Sequence, residues 1–178
     1  MALKPTIYKQ KISLSDLERS YYDTIHLTLA LHPSETHQRL MARVMAFLLN
    51  AQERLSFTKG LSSIDEPDIW LKKMDEQISL WIEVGEPDVD RIKKATHKSD
   101  QVKIYSFNSK SDIWWQQNEL KLEPVNAAIY RFDTVSIDRL SKLLQRTMEY
   151  SVTITGDSAY IATQEGECEV VWSQLNYD

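Results

Sequence analysis

Seven residues constrain this chain more than any others. The run Ile78-Ser79-Leu80-Trp81-Ile82-Glu83-Val84 alternates with a period of two, placing Ile78, Leu80, Ile82 and Val84 on one face and Ser79, Trp81 and Glu83 on the other. The run is apolar enough to be a central strand. A carboxylate inside it needs a partner or an ion, so Glu83 is the first candidate for function.

The surrounding segments supply the rest of a sheet. Residues 69–74 form a hairpin with this strand, joined near Asp75-Glu76-Gln77. Asp88 caps a following helix over 89–99, with Asp90 in its first turn and Val89, Ile92, Ala95 and Thr96 facing inward; 102–107 is the next strand. Upstream, Ser34 caps a helix that runs to about Glu53 on Leu40, Val44, Phe47, Leu48 and Ala51, and a strand over 55–58 ends at Lys59-Gly60. Residues 5–14 and 21–31 alternate as an antiparallel pair around a turn at 15–19. After 107, Ser109 or Ser111 caps a helix through Trp114 and Leu120, ended by Pro124, and 125–132 is strand-like. Ser136 caps a helix with Ile137, Leu140, Leu143 and Leu144 inside. A three-strand meander over 150–155, 159–163 and 167–172 turns at Gly156-Asp157 and Glu165-Gly166. The pattern predicts an α/β (α+β) fold: a mixed β-sheet flanked by helices with antiparallel extensions at both ends, in one domain over 1–178 whose core spans about 34–107.

Bulk properties limit the function. The net charge of -5 argues against a broad basic face for nucleic acid, although it leaves room for a short basic groove. Cys168 is the sole cysteine, so no internal disulfide forms, and its strand-like setting predicts a buried, inert thiol. No apolar run approaches membrane length, and Met1 to Pro5 lead straight into a strand. A cytoplasmic monomer, with no membrane contact, is the expectation.

Asp68 and Glu83 are the candidate pair. They share a face only if opposed hairpin residues sum to an odd number; Asp75 opposite Ile78 would put Asp68 across from Gly85 and diagonal to Glu83. A slip of one residue would separate them. Converging carboxylates with a nearby lysine hold Mg²⁺ or Mn²⁺ and stabilise a phosphoryl transition state. The simpler alternative ends a loop at Asp68 and pairs Glu83 with a surface lysine. Asp65 and Glu66 stand at the same hairpin mouth, as accessory carboxylates or as a solvated turn. Arg91, Lys93, Lys94, Lys98 and Lys103 form either a solvated basic face or the source of one lysine that orients water at a phosphate; helix geometry favours Lys93 over Lys94 because it borders the inner face. His26, His32, His37 and His97 lack zinc spacing. Trp114-Trp115 either fills core, stacks on bases or docks a protein partner.

Helix, strand, hairpin, helix and strand in this order, with Pro67-Asp68 before one strand and Glu83 on the next, resembles the core of the PD-(D/E)XK nuclease superfamily, a restriction-endonuclease-like arrangement. More closely, the chain resembles the YaeQ family, on Met1-Ala2-Leu3-Lys4, Leu29-Ala30-Leu31-His32-Pro33-Ser34-Glu35-Thr36, Glu53-Arg54-Leu55, Phe57-Thr58-Lys59-Gly60-Leu61, Asp65-Glu66-Pro67, Leu80-Trp81-Ile82-Glu83-Val84-Gly85, Arg91-Ile92-Lys93-Lys94-Ala95 and Ile113-Trp114-Trp115-Gln116-Gln117-Asn118. The superfamily resemblance implies metal carboxylates at Asp68 and Glu83, and an accessory acid at Glu35, a residue that also suits the positive end of a helix. It implies a lysine two residues after Glu83, where Gly85 stands; Lys93 or Lys94 would then supply it from the following helix. Two functions follow as expectations: a metal-dependent phosphodiesterase or nuclease, or a non-catalytic module that retains the fold and binds nucleic acid or protein.

Overall fold

The computed structural model describes residues 4–59 and 64–176. The expected turn at Gly60 lies outside the described residues. In chain order the elements are β1 (Thr6–Asp16), β2 (Tyr21–Leu31), α1 (His37–Leu49), β3 (Leu55–Phe57), β4 (Ile69–Lys72), β5 (Ile78–Val84), α2 (Val89–Lys98), β6 (Ser99–Ser106), α3 (Ser111–Leu122), β7 (Ala128–Phe132), α4 (Thr134–Ser141), β8 (Thr147–Thr155), β9 (Ser158–Ala162) and β10 (Glu167–Gln174). The fold class is the expected α/β.

The chain forms two compact units, one of Met1–Val44 with Asp133–Trp172, the other of Met45–Phe132 with Ser173–Asp178. In the first unit β1 pairs antiparallel with β2 and parallel with β8, and β8, β9 and β10 follow as the antiparallel meander. Gly156 (φ +58°) and Gly166 (φ +153°) make the two meander turns in backbone regions that favour glycine. Ile12, Leu14, Leu29, Val152, Ile154 and Ile161 are buried. Tyr150 donates its hydroxyl to Gln10 Oε1 at 2.6 Å, which satisfies two buried polar groups at once.

In the second unit β3–β4–β5 are antiparallel, and β5, β6 and β7 run parallel. One face of β5 carries Trp81, which packs with Ile92 and Ala95 of α2, Val102 and Ile104 of β6, Leu122 and Ile129. Leu80 and Ile82 alternate to the other face, where Asn50, just past α1, donates to the Tyr105 hydroxyl at 2.9 Å and accepts from Lys103 Nζ at 2.7 Å.

Three caps differ from expectation. The helix α1 starts at His37 because Thr36 Oγ1 accepts the Arg39 N–H at 3.1 Å, the geometry of an N-cap, whereas Ser34 Oγ is bonded to His32 Nδ1 at 2.7 Å. The same helix stops at Leu49, where Asn50 turns its side chain back to the Ala46 carbonyl. The helix α4 is capped by Asp133, which accepts the Ser136 N–H at 2.9 Å. Lys110 holds the N-cap position of α3, and neither expected serine caps it.

Candidate functional site

The hairpin register decides whether Asp68 and Glu83 meet. Ile69 faces Ile82, Trp70 faces Trp81 and Leu71 faces Leu80, an odd-sum register; a bulge follows before Lys72. Continued one step past Ile69, it sets Asp68 beside Glu83 directly, not diagonally. Both side chains are buried, Asp68 at 8% and Glu83 at 4% exposure. Asp68 Oδ2 accepts the Val84 N–H at 2.8 Å, while its own N–H donates to the Ile82 carbonyl at 3.1 Å.

Glu83 is already engaged, by a residue the sequence reading grouped only with the surface charge. Arg91, in the first turn of α2, donates its Nε to Glu83 Oε1. Its Nη1 reaches the Ile64 carbonyl at 2.6 Å and its Nη2 the Glu66 carbonyl at 2.9 Å. One guanidinium therefore ties the strand β5, the helix α2 and the 64–66 loop together. Burial pushes the Glu83 carboxyl above its ordinary value; Arg91 opposes this, and the neighbouring Asp68 adds to it. The Trp81 indole, on the same strand face, also opposes the rise by hydrogen bonding toward Glu83; among the described residues Glu66 Oε2 is buried with no hydrogen-bond partner. The available signal was spacing: Arg91 lies eight residues after Glu83, across a short strand-to-helix turn that lets its side chain reach back.

A divalent ion does not fit this arrangement as it stands. Among the described residues no cluster of three or more His, Cys, Asp and Glu side chains could hold one. One Glu83 oxygen is bonded to a permanent cation, and Asp68 Oδ2 is bonded to a backbone amide. Gly85 has φ +129°, and its N–H donates to the Tyr105 carbonyl at 2.8 Å.

Lys93 and Lys94 are exposed and line a cleft of about 940 Å³ between α2 and α3. Arg91, Lys94 and Lys98 fall at i, i+3 and i+7 on α2; Trp114, Gln117, Asn118 and Lys121 fall at i, i+3, i+4 and i+7 on α3. These side chains line the cleft together with apolar ones, Ile64, Trp81, Val89 and Ala95. Among the described residues, no ion pair engages Lys93, Lys94, Lys98 or Lys121. Asp65, Asp88 and Asp90 sit toward the start of α2. The two tryptophans of α3 are partly buried; Trp114 donates its indole N–H to the Pro87 carbonyl at 3.0 Å. The exposed apolar residues of α3 are Ile113 and Leu120.

Glu35, in the first unit, is held by arginines. Its Oε2 accepts from Arg39 Nη1 at 2.6 Å and Arg43 Nε at 2.9 Å, and its Oε1 from Arg43 Nη2 at 2.8 Å. Cys168 is half-buried, and burial raises its thiol pKa, consistent with an inert thiol.

An α/β protein with a buried, arginine-held carboxylate beside a second carboxylate, next to a lysine-lined cleft, is the class defined by this geometry. The family model described as YaeQ protein matches residues 1–172. The chain belongs to the YaeQ family. It is 41% identical to the YaeQ protein of Escherichia coli strain K12, over 98% of this chain and 99% of that one, and 40% identical to that of Salmonella typhi over the same shares. The crystal structure of YaeQ from Xanthomonas axonopodis pv. citri superposes with a TM-score of 0.93 at 32% identity, covering 98% of this chain and 99% of that one. The Pseudomonas syringae YaeQ structure gives 0.92 at 30% identity, covering 98% and 97%. No described helix is long and apolar enough to cross a membrane.

Proposed function

We propose that the protein is a non-catalytic module, on a scaffold related to the PD-(D/E)XK nucleases, that binds a single nucleic-acid strand in the α2–α3 cleft. The observation that carries this reading is the set of four lysines without acid partners, gathered in one cleft of a chain with net charge -5. Ammonium groups that outnumber the aspartates at the start of α2, and that are paired with none of them, favour a polyanion, whose phosphates release condensed counterions on binding. The partly buried Trp114 offers an aromatic edge against which a base can rest. A cleft between two helices suits an extended strand better than a rigid duplex.

Fluorescence anisotropy with a labelled oligothymidylate in EDTA tests this. Binding is expected without metal, with a log K against log salt slope of about -3 for four contacts at roughly -0.7 each. The double variant Lys94→Glu, Lys98→Glu should abolish it. Absence of binding, or binding that the double variant leaves intact, removes this reading.

One observation favours the metal-dependent phosphodiesterase: two buried carboxylates, Glu83 and Asp68, stand side by side. That reading requires Arg91 to leave Glu83. Hydrolysis of a labelled strand with Mg²⁺ or Mn²⁺, lost in Glu83→Gln, is the result that would establish it.

A further inference from the structure

The strand β2 ends the first unit's sheet, with β1 on one side and, among the described residues, no strand on the other. It runs for 11 residues, against about 5–6 for a typical strand, and pairs with β1 in unbroken register throughout. Long edges are normally guarded by lysine, proline, a bulge or an early end. Here β2 holds no lysine, arginine, proline or bulge, whereas β3, at the other end of the strand order, has only 3 residues. The groups this edge presents follow from β1. The Lys9 N–H donates to the Arg146 carbonyl, just before β8, so Tyr8 and Gln10 turn theirs toward β2, where Leu29 and Leu27 face them. The alternate residues Tyr22, Thr24, His26, Thr28 and Ala30 therefore direct N–H and C=O away from the sheet. Two bonds within the chain agree with that direction: the Thr24 N–H donates to Asp23 Oδ1 at 2.8 Å, and the Ala30 carbonyl accepts from Arg43 Nη2 at 3.3 Å.

We propose that β2 pairs antiparallel with β2 of a second copy of this chain, across a two-fold axis at His26, in place of the monomer expected from the sequence. Each outward residue then exchanges two backbone hydrogen bonds with its opposite number. Side chains set this register. It places Thr24 against Thr28 of the second copy, a favourable cross-strand pair, and Tyr22 of the second copy against Ala30. Tyr22 is 63% exposed and Ile7 40%, both large apolar side chains left in solvent, and Ile7 faces Ala30 on the ladder. The small Ala30 lets the Tyr22 ring of the second copy lie across it onto Ile7, and the two-fold repeats the contact at the other end. A strand of an unrelated protein would have no reason to match Ile7 and Ala30 in this way. Asp23, the carboxylate of β2, meets Leu29 of the second copy and not its own mate. Lys11, which faces His26 from β1, pairs with Glu149 on the far side at 3.5 Å. The Arg43 bond can persist, because a carbonyl accepts two donors, while Asp23 must release Thr24. The cleft between α2 and α3 takes no part, so this inference stands apart from the nucleic-acid reading.

Sedimentation equilibrium of the native chain, taken to near-millimolar concentration, should give twice the 20.7 kDa chain mass. Thr28→Pro deletes an N–H that faces away from β1, and Ala30→Lys puts an ammonium where Tyr22 of the second copy would lie. Both should keep the native circular dichroism and sediment at the single-chain mass. Ala30 is exposed, so that variant carries the test if Thr28→Pro fails to fold. In a Cys168→Ser background, His26→Cys should oxidise to a covalent dimer, since directly opposed residues of such a pair have Cα atoms about 5.5 Å apart, within disulfide reach. Thr24→Cys should not, because Thr24 opposes Thr28. A native chain at the single-chain mass throughout overturns the proposal and leaves the edge to a strand of another protein. So does a dimer that the folded edge variants retain, or one that Thr24→Cys cross-links as readily as His26→Cys.

Discussion

Asp68 grips the strand that carries Glu83: its Oδ2 accepts the Val84 N–H at 2.8 Å inside the protein. The bond makes Asp68 a structural clamp at the hairpin mouth, whatever else it does. Asp68→Ala should lower stability by about 1.5–3 kcal/mol, the scale of a hydrogen bond to a charged group. Asp68→Asn keeps an acceptor and should lose less. Urea midpoints of the two variants check the order; equal stability for Asp68→Ala and the native protein would reduce the clamp to a coincidence.

Glu83 makes stability depend on pH in an unusual direction. Its folded-state pKa is raised above the ordinary 4.5, so the folded protein holds the proton over a window where the unfolded chain has released it. The stabilising contribution is complete below the unfolded value and is lost as pH rises through the folded one. The difference in urea midpoint between native protein and Glu83→Gln should therefore shift against the native protein as pH climbs upward from 4.5. A flat difference would mean that Arg91 fully offsets the burial.

Glu35 should behave as the keystone of an ion-pair network and not as a ligand-binding acid. Its carboxylate is almost fully buried and Arg43 nearly so, and removing one partner of such a pair costs about 3–5 kcal/mol. Glu35→Ala should unfold at markedly lower urea. Oligonucleotide affinity, measured where the variant is still folded, should be unchanged.

The start of α1 offers a smaller contrast. Thr36→Ala should cost about 1 kcal/mol through loss of the Arg39 N–H bond, whereas Ser34→Ala should leave the helix cap untouched. Circular dichroism melts of both variants resolve the two.

Much of the fold could be read from local pattern. Both β2 and β5 have the expected limits, because strict alternation with hydrophobic faces leaves little freedom of assignment. Helix starts were less legible: Ser34, Thr36 and Ser136 are all able to cap, and the choice falls to contacts such as His32 with Ser34 that tertiary structure decides. The parallel pairing of β1 with β8, which joins Lys9 to Thr147, has no local signature at all. At the candidate site, parity correctly allowed Asp68 and Glu83 to share a face, but the bulge at Leu71/Lys72 that sets the true register is invisible in side-chain pattern. Arg91 has no signature of its own among the charges of α2, because burial of Glu83 requires only some cation within reach and does not specify which.

Gly85 limits which side chain can stand two residues after Glu83. Its backbone sits at φ +129° and is pinned by its N–H to Tyr105; a Cβ there would meet no atom of the described residues within 4 Å, so crowding at the Cβ is not what excludes one. What excludes it is conformation, since L-residues rarely adopt that angle. A single codon change to lysine would place an ammonium on a backbone unsuited to carry it. With Arg91 already bonded to Glu83 from the following helix, a lysine at 85 would bring a second cation to a carboxylate that has one, on a backbone that resists it.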